Sequence, residues 1–239
     1  MNLSSLFNEA ATNAERQWLQ TKQQGSLNAQ MAAFVAVPRF VDRRDVPGKP
    51  EWTMDRLARV LLLLSMVDTE PAKSLQAIDM LFDTAELQEL AALYSALPLL
   101  PQPKRWLLRA TDAVRSNMGP VFDAIAFENT YPADHFSEAA WNQLVLKCIF
   151  NDKPLMRIVG LLDRANQTLA NDLSNLAHER WAAGRRVPAE AWQLVPRFMN
   201  ETLLADVTKL LQSPNADDRT AARQVCQTTD YQPAKQLIE

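Results

Sequence analysis

Three polar side chains interrupt apolar helical stripes in the middle of this chain. At 100° per residue, a helix over 104–118 puts Asn117 on the stripe of Trp106, Ala110 and Ala113. A helix over 168–184 sets Arg180 between Leu169, Leu173 and Leu176, and one over 137–150 projects Asn142 between Leu146 and Ile149. A buried amide or guanidinium costs free energy unless something pairs with it. Each of the three therefore demands a partner, either another side chain or a ligand. Asn117, Asn142 and Arg180 are expected to converge in space.

Each candidate also has a plain structural reading. Asn142 either bonds a neighbouring loop or lines a polar pocket. Lys147, on the edge shared with Gln143 and Ala140, either stands in water or meets an anionic or carbonyl group. Arg180 near a helix C-terminus either snorkels over leucines or pairs with a carboxylate such as Asp123 or Glu128, or with an anion. His178, on a stripe with Ser174 and Asn171, reads as surface. The aromatics Trp106, Phe122, Phe127, Tyr131, Phe136, Trp141 and Trp181 form core or the wall of an apolar pocket with a few polar groups. Arg115, Asn129 and Arg157 suit its rim, although Arg115 projects nearly opposite Trp106.

Familiar chemical motifs are missing. The two histidines, His135 and His178, come with no HExxH and no paired cysteines, so no metal site is expected. Asp134, His135 and Glu138 read better as a cap for the next helix. Without GxSxG, GxGxxG or GxxxxGK[ST], neither a nucleophile elbow nor a glycine-rich nucleotide loop can be assembled, and no cofactor is implied. A net charge of −3, with no basic stripe among aromatics, disfavours nucleic acid. Cys148 and Cys226 have no metal-ligand spacing and read as buried free thiols, in keeping with a reducing compartment. The opening MNLSSLFNEAATNAERQWLQ lacks a basic segment and an unbroken apolar run, so it does not read as a secretory signal. The longest apolar run, Val60–Leu64, or Leu57–Val67 with interruptions by Arg59 and Ser65, is far short of a span. A cytoplasmic protein with no transmembrane segment is expected.

Five glycines against fourteen prolines is an all-helical balance. Helices are expected over 4–22, 27–37, 53–67, 71–82, 84–97, 104–118, 120–128, 137–150, 155–164, 168–183, 189–195, 198–211, 214–227 and 232–238. Ser213-Pro214 reads as a cap followed by proline at the first helical position. Residues 39–52 read as a loop or linker, with further irregular stretches at 98–103 and 129–135. Helices 53–67 and 137–150 are apolar nearly all round, which places them centrally. Short helices joined by short loops stack as neighbouring hairpins, giving an all-α fold that is either a HEAT/armadillo-like α-solenoid or an irregular helical bundle. The chain reads as one all-helical domain over 1–239, open to subdivision into 1–97 and 104–239.

The stretches ALPLLP (96–101), VRSNM (114–118), ENTYPADHFSEAAWNQLVLKCIF (128–150), RAN (164–166) and LAHERWAAGR (176–185) occur in order. Together they resemble the EboA family over roughly 90–212. That resemblance implies an accessory protein of an ebo-type secondary-metabolite cluster. Such a protein would be a helical scaffold binding a small-molecule metabolite, or a cluster partner such as a UbiA-like prenyltransferase, in precursor processing or export. The family supplies no catalytic motif to carry over. The alternative is an enzyme acting on a small metabolite, including a prenylated one, in an apolar helical pocket. Lys147 and Arg180 would then act electrostatically, with His178 or His135 as acid–base groups.

Overall fold

The computed structural model describes residues 2–239, the side chains of Pro50 and Glu51 aside. The chain forms two compact units, Met1–Ile125 and Ala126–Glu239. Apart from one two-stranded ribbon, the regular structure of the described residues is helical.

The first unit is organised around one helix. Helices α1 (Leu3–Ala10), α2 (Asn13–Gln23) and α3 (Leu27–Ala36) lead into strands β1 (Asp45–Val46) and β2 (Lys49–Thr53). Next come α4 (Met54–Thr69), α5 (Pro71–Thr84), α6 (Leu87–Ala96) and α7 (Leu107–Arg115). Helix α4 touches α1, α2, α3, α5 and α6. Its Leu57, Ala58, Val60, Leu62, Leu63 and Met66 are fully buried, as a helix apolar on every side requires. Asp55 and Arg59, on the same helix, are buried with them.

Several expected elements are corrected by local chemistry. The helix expected over 4–22 breaks in two because Thr12 and Glu15 form a capping box, each side chain bonding the other's backbone N–H. The loop expected over 39–52 holds an antiparallel ribbon with a register shift at Asp45/Val46. Its turn places Pro47 before Gly48 at φ 72, a left-handed position that suits glycine. The helix expected over 104–118 is a 3-10 turn, Pro103–Trp106, followed by α7, which stops at Arg115. Ser116 is extended there, and its hydroxyl accepts from the Met118 N–H, a local bond that competes with further helix. Helix α8 (Gly119–Ala126) then runs across the boundary between the units.

In the second unit, α9 (Tyr131–His135) occupies part of the stretch read as irregular. It is followed by α10 (Glu138–Phe150), α11 (Gln167–Ala182), α12 (Glu201–Leu211), α13 (Ala216–Thr228) and α14 (Gln232–Lys235). No α-helix forms over 155–164: a 3-10 turn, Leu155–Arg157, leads into Gly160 at φ 75, which interrupts right-handed geometry. The helix expected over 189–195 is likewise 3-10, Ala189–Leu194. Asn215, not Ser213, caps α13, while the Ser213 hydroxyl accepts from the Asn215 N–H.

These returns decide how the long helices run. Near its start α10 bonds the N-cap residue of α11 through Asn142 and Asn166, and at its end it bonds Arg180 near the end of α11. The same holds one helix on, where Asn171 meets Asn200 and Ser174 meets Asp206. So α10, α11 and α12 are parallel neighbours, whereas α12 and α13 are joined by a short α–α turn.

Candidate functional site

Of the residues expected to form a site, Asn117 is the clearest correction. It lies beyond the end of α7, in the gap before α8, and is exposed instead of riding an apolar stripe. Arg115, also in the first unit, is exposed and paired with Asp112 three residues back.

Asn142 and Arg180 are both buried, as their stripes predicted, but they do not converge. They act at opposite ends of α10, eight residues or about 12 Å apart along its axis. The Asn142 and Asn166 amides bond reciprocally at 3.2 and 2.8 Å. Asn166 also caps α11 by accepting from the Leu169 N–H. Arg180 donates from Nη1 to the Ile149 and Phe150 carbonyls at 3.3 and 3.0 Å, from Nε to the Arg186 carbonyl at 2.6 Å, and from Nη2 to Asp152 at 2.6 Å. Its carboxylate partner is thus Asp152, not Asp123 or Glu128. A cation there satisfies the open carbonyls at the end of α10 and complements its dipole.

Arg164, in the RAN stretch, plays a similar part. It donates to the carbonyls of Pro132, Ala133 and Phe136 at the end of α9, with its guanidinium 4.7 Å from the Trp141 ring. Trp141 is fully buried, and its indole N–H has no hydrogen-bond partner among the described residues. The Asn129 side chain is buried and accepts from the Tyr131 N–H. Tyr131 is enclosed against His135 and Phe136, and burial pushes its phenol up to about 12. Arg157 pairs with Glu128 at 2.6 Å over the Phe127 ring. Lys147 is half-buried on α10.

His178 projects outward, yet its Nε2 lies 2.6 Å from buried Asp206, which also accepts from Ser174 at 2.5 Å. The carboxylate stands between hydroxyl and imidazole, so this is not the order in which a base activates a serine. His178 also leans on Trp181, which stacks on Trp192 at 6.0 Å and carries the Lys209 ammonium 4.0 Å from its ring centre. Trp181, Lys209, Arg185 and Arg186 edge an open groove of about 470 Å³. Most of its charge is already committed: Asp218 takes Arg186 on both oxygens and also the Ser213 hydroxyl.

A further cleft lies in the first unit, outside the residues singled out from the sequence. It has a volume of about 590 Å³ and opens between the end of α3, the start of α4 and the start of α6. That volume falls within the usual range for ligand pockets. Val35, Pro38, Val41 and Leu87 supply apolar wall, and Asp55 and Arg59 line it as well. Arg59 and Asp55 pair at 3.0 Å, one helical turn apart, with side chains 3% and 5% exposed. Arg59 Nε donates to the Phe34 carbonyl at 3.2 Å, and its guanidinium lies 5.8 Å from the Phe34 ring. Burial pushes the Arg59 pKa down, opposed by Asp55 and Glu89.

This pair is incompletely satisfied. Asp55 Oδ1 is buried with no hydrogen-bond partner, and Arg59 Nη2 has none among the described residues. Buried polar groups are nearly always paired, so an open donor and an open acceptor on two buried charges lining a cleft call for explanation. The sequence carries the signal: Arg59 is the one charge inside RVLLLLSMV and its flanking apolar turn. By sequence alone the interruption argues only against a membrane span.

Among the described residues no group of three or more His, Cys, Asp and Glu could hold a metal, and no helix is long and apolar enough to cross a membrane. The described residues define an all-helical protein, one two-stranded ribbon aside, with a cleft of about 590 Å³ in its first unit. The family profile described as metabolite traffic protein EboA matches residues 46–196, more than half of the chain, and the chain belongs to that family. The match begins well before the resembling stretches do, and so takes in Asp55, Arg59 and Glu89. No curated protein and no solved structure matches the chain.

Proposed function

We propose that this protein is a metabolite-traffic accessory that binds a small molecule in the cleft lined by Arg59 and Asp55. The family supports the traffic role. The carrying observation is the buried ion pair with its open donor and acceptor in a cleft of ligand size. Binding without turnover fits the residues assigned so far. The Asn142, Arg164 and Arg180 side chains are engaged with backbone and cap groups of the second unit, and the His178–Asp206–Ser174 order does not make a nucleophile.

The parallel run of α10, α11 and α12 supports a stacked, repeat-like reading of the second unit, a form that offers surface to partner proteins. Other proteins of an ebo cluster, such as a UbiA-like prenyltransferase, are the partners this reading nominates, on family grounds.

The test is mass spectrometry of small molecules released from protein purified from its native host. The wild type should carry a stoichiometric metabolite, and a folded Arg59→Met/Asp55→Leu double variant should carry none. Equal recovery from both would place the metabolite elsewhere and end the cleft assignment.

A further inference from the structure

The chemistry of the cleft narrows its occupant. Two positive charges, Arg43 and Arg59, line it together with three negative ones, Asp55, Glu86 and Glu89. The two deepest are already neutralised against each other at 3.0 Å. A carboxylate or phosphate entering beside Arg59 meets Asp55 and buried Glu89, whose Oε2 is held by the Glu86 N–H. An ammonium ion meets Arg59 and Arg43. A full charge of either sign thus meets a like charge beside each opposite one, finds the buried pair with no net charge to neutralise, and loses its hydration on entry. On the buried pair itself, one donor, Arg59 Nη2, and one acceptor, Asp55 Oδ1, remain open among the described residues, on neighbouring turns of α4. Beyond them the wall is apolar, with Val35 54% and Leu87 39% exposed at its edge.

We propose that the cleft selects a neutral head group that accepts one hydrogen bond and donates another side by side, a carboxamide or lactam, carried on an apolar body. This rests on the cleft being the binding site, as argued above. The head group's carbonyl oxygen accepts from Arg59 Nη2, and its N–H donates to Asp55 Oδ1. The two charges thus gain the bonds they lack without any net charge entering the cleft. The apolar body lies along Val35, Pro38, Val41 and Leu87.

The experiment compares three probes on one apolar body, decanamide, decanoate and decylammonium, each below its micelle concentration. They are titrated calorimetrically into the full-length chain at neutral pH. Decanamide should bind at least tenfold more tightly than either charged probe. The Arg59→Met/Asp55→Leu variant should erase that preference while leaving weak, head-group-blind binding. Leu87→Ser, at the exposed edge and with no polar role, should weaken all three while preserving their order, and it keeps the test valid if the Arg59→Met/Asp55→Leu variant does not fold. Tighter binding of decanoate or decylammonium would overturn the neutral class and leave the cleft standing. Binding of all three without preference, or of none, would overturn the head-group assignment. Whether the cleft holds a metabolite at all is decided separately by the mass-spectrometric comparison.

Discussion

Replacing Arg180 with leucine should destabilise the second unit by about 3 kcal/mol. Its guanidinium serves three backbone carbonyls and one carboxylate. The Ile149 carbonyl keeps a second donor, the Asp152 N–H at 3.2 Å, so its loss is cushioned. Among the described residues the Phe150 and Arg186 carbonyls have no such second donor, and leaving a hydrogen-bonding group unsatisfied costs about 1–3 kcal/mol. Asp152 is 55% exposed, so losing that ion pair adds little. Urea unfolding of Arg180→Leu, Arg180→Lys and Asp152→Ala separates these parts. Arg180→Leu should lower the midpoint most. Arg180→Lys should recover only part of the loss, because an ammonium cannot span carbonyls that a planar fork reaches together. Asp152→Ala should stay within about 1 kcal/mol of wild type. If Arg180→Leu is as stable as wild type, or Asp152→Ala is equally damaging, the carbonyl clamp is not what Arg180 provides.

Two further outcomes follow from buried polar groups. Glu15 is held down to about 2 by Arg44, which bonds both of its oxygens, and the Thr12 and Asp42 N–H groups assist. Because the folded value lies below the ordinary 4.5, this stability is present above that pH and is lost as pH falls towards 2. It amounts to about 3 kcal/mol at most, so acid titration of wild type should show a slope over that window that Glu15→Gln lacks. Asn142→Leu should cost about 1–2 kcal/mol by stripping the partner from the α11 cap, read as a drop of a few degrees in melting temperature. A melting temperature unchanged from wild type would mean the amide pair contributes nothing net.

Periodicity carried the helical class and the central place of α4, because a helix apolar on every side has nowhere to go but the interior. It also carried the burial of Asn142 and Arg180. It failed at Asn117, where a serine hydroxyl ends the helix and removes the geometry on which the stripe depended. The Thr12–Glu15 box was written in the sequence as T-x-x-E and could have divided α1 from α2. What no stripe encodes is who satisfies a buried polar group. Arg180 looked like a ligand group until its acceptors proved to be the carbonyls at the end of α10 and beyond the end of α11. Arg59 reads from the sequence as an incidental break in an apolar run, yet it lines the cleft with one donor unengaged among the described residues. The difference lies in contacts 25 to 31 residues apart in the chain, beyond the reach of local spacing.

The parallel course of α10 and α11 bears on how the second unit assembles. An antiparallel helical hairpin closes a loop of a few residues, and its helices can zip from the turn. Asn142 and Asn166 must instead close 24 residues, and Ile149 and Arg180 must close 31, before either contact exists. That entropy is spent before burial repays it, so docking α11 on α10 belongs to the slow, late part of folding. Contacts made that late govern how fast the structure opens more than how fast it forms. The clamp and the amide pair thus act chiefly as brakes on unfolding.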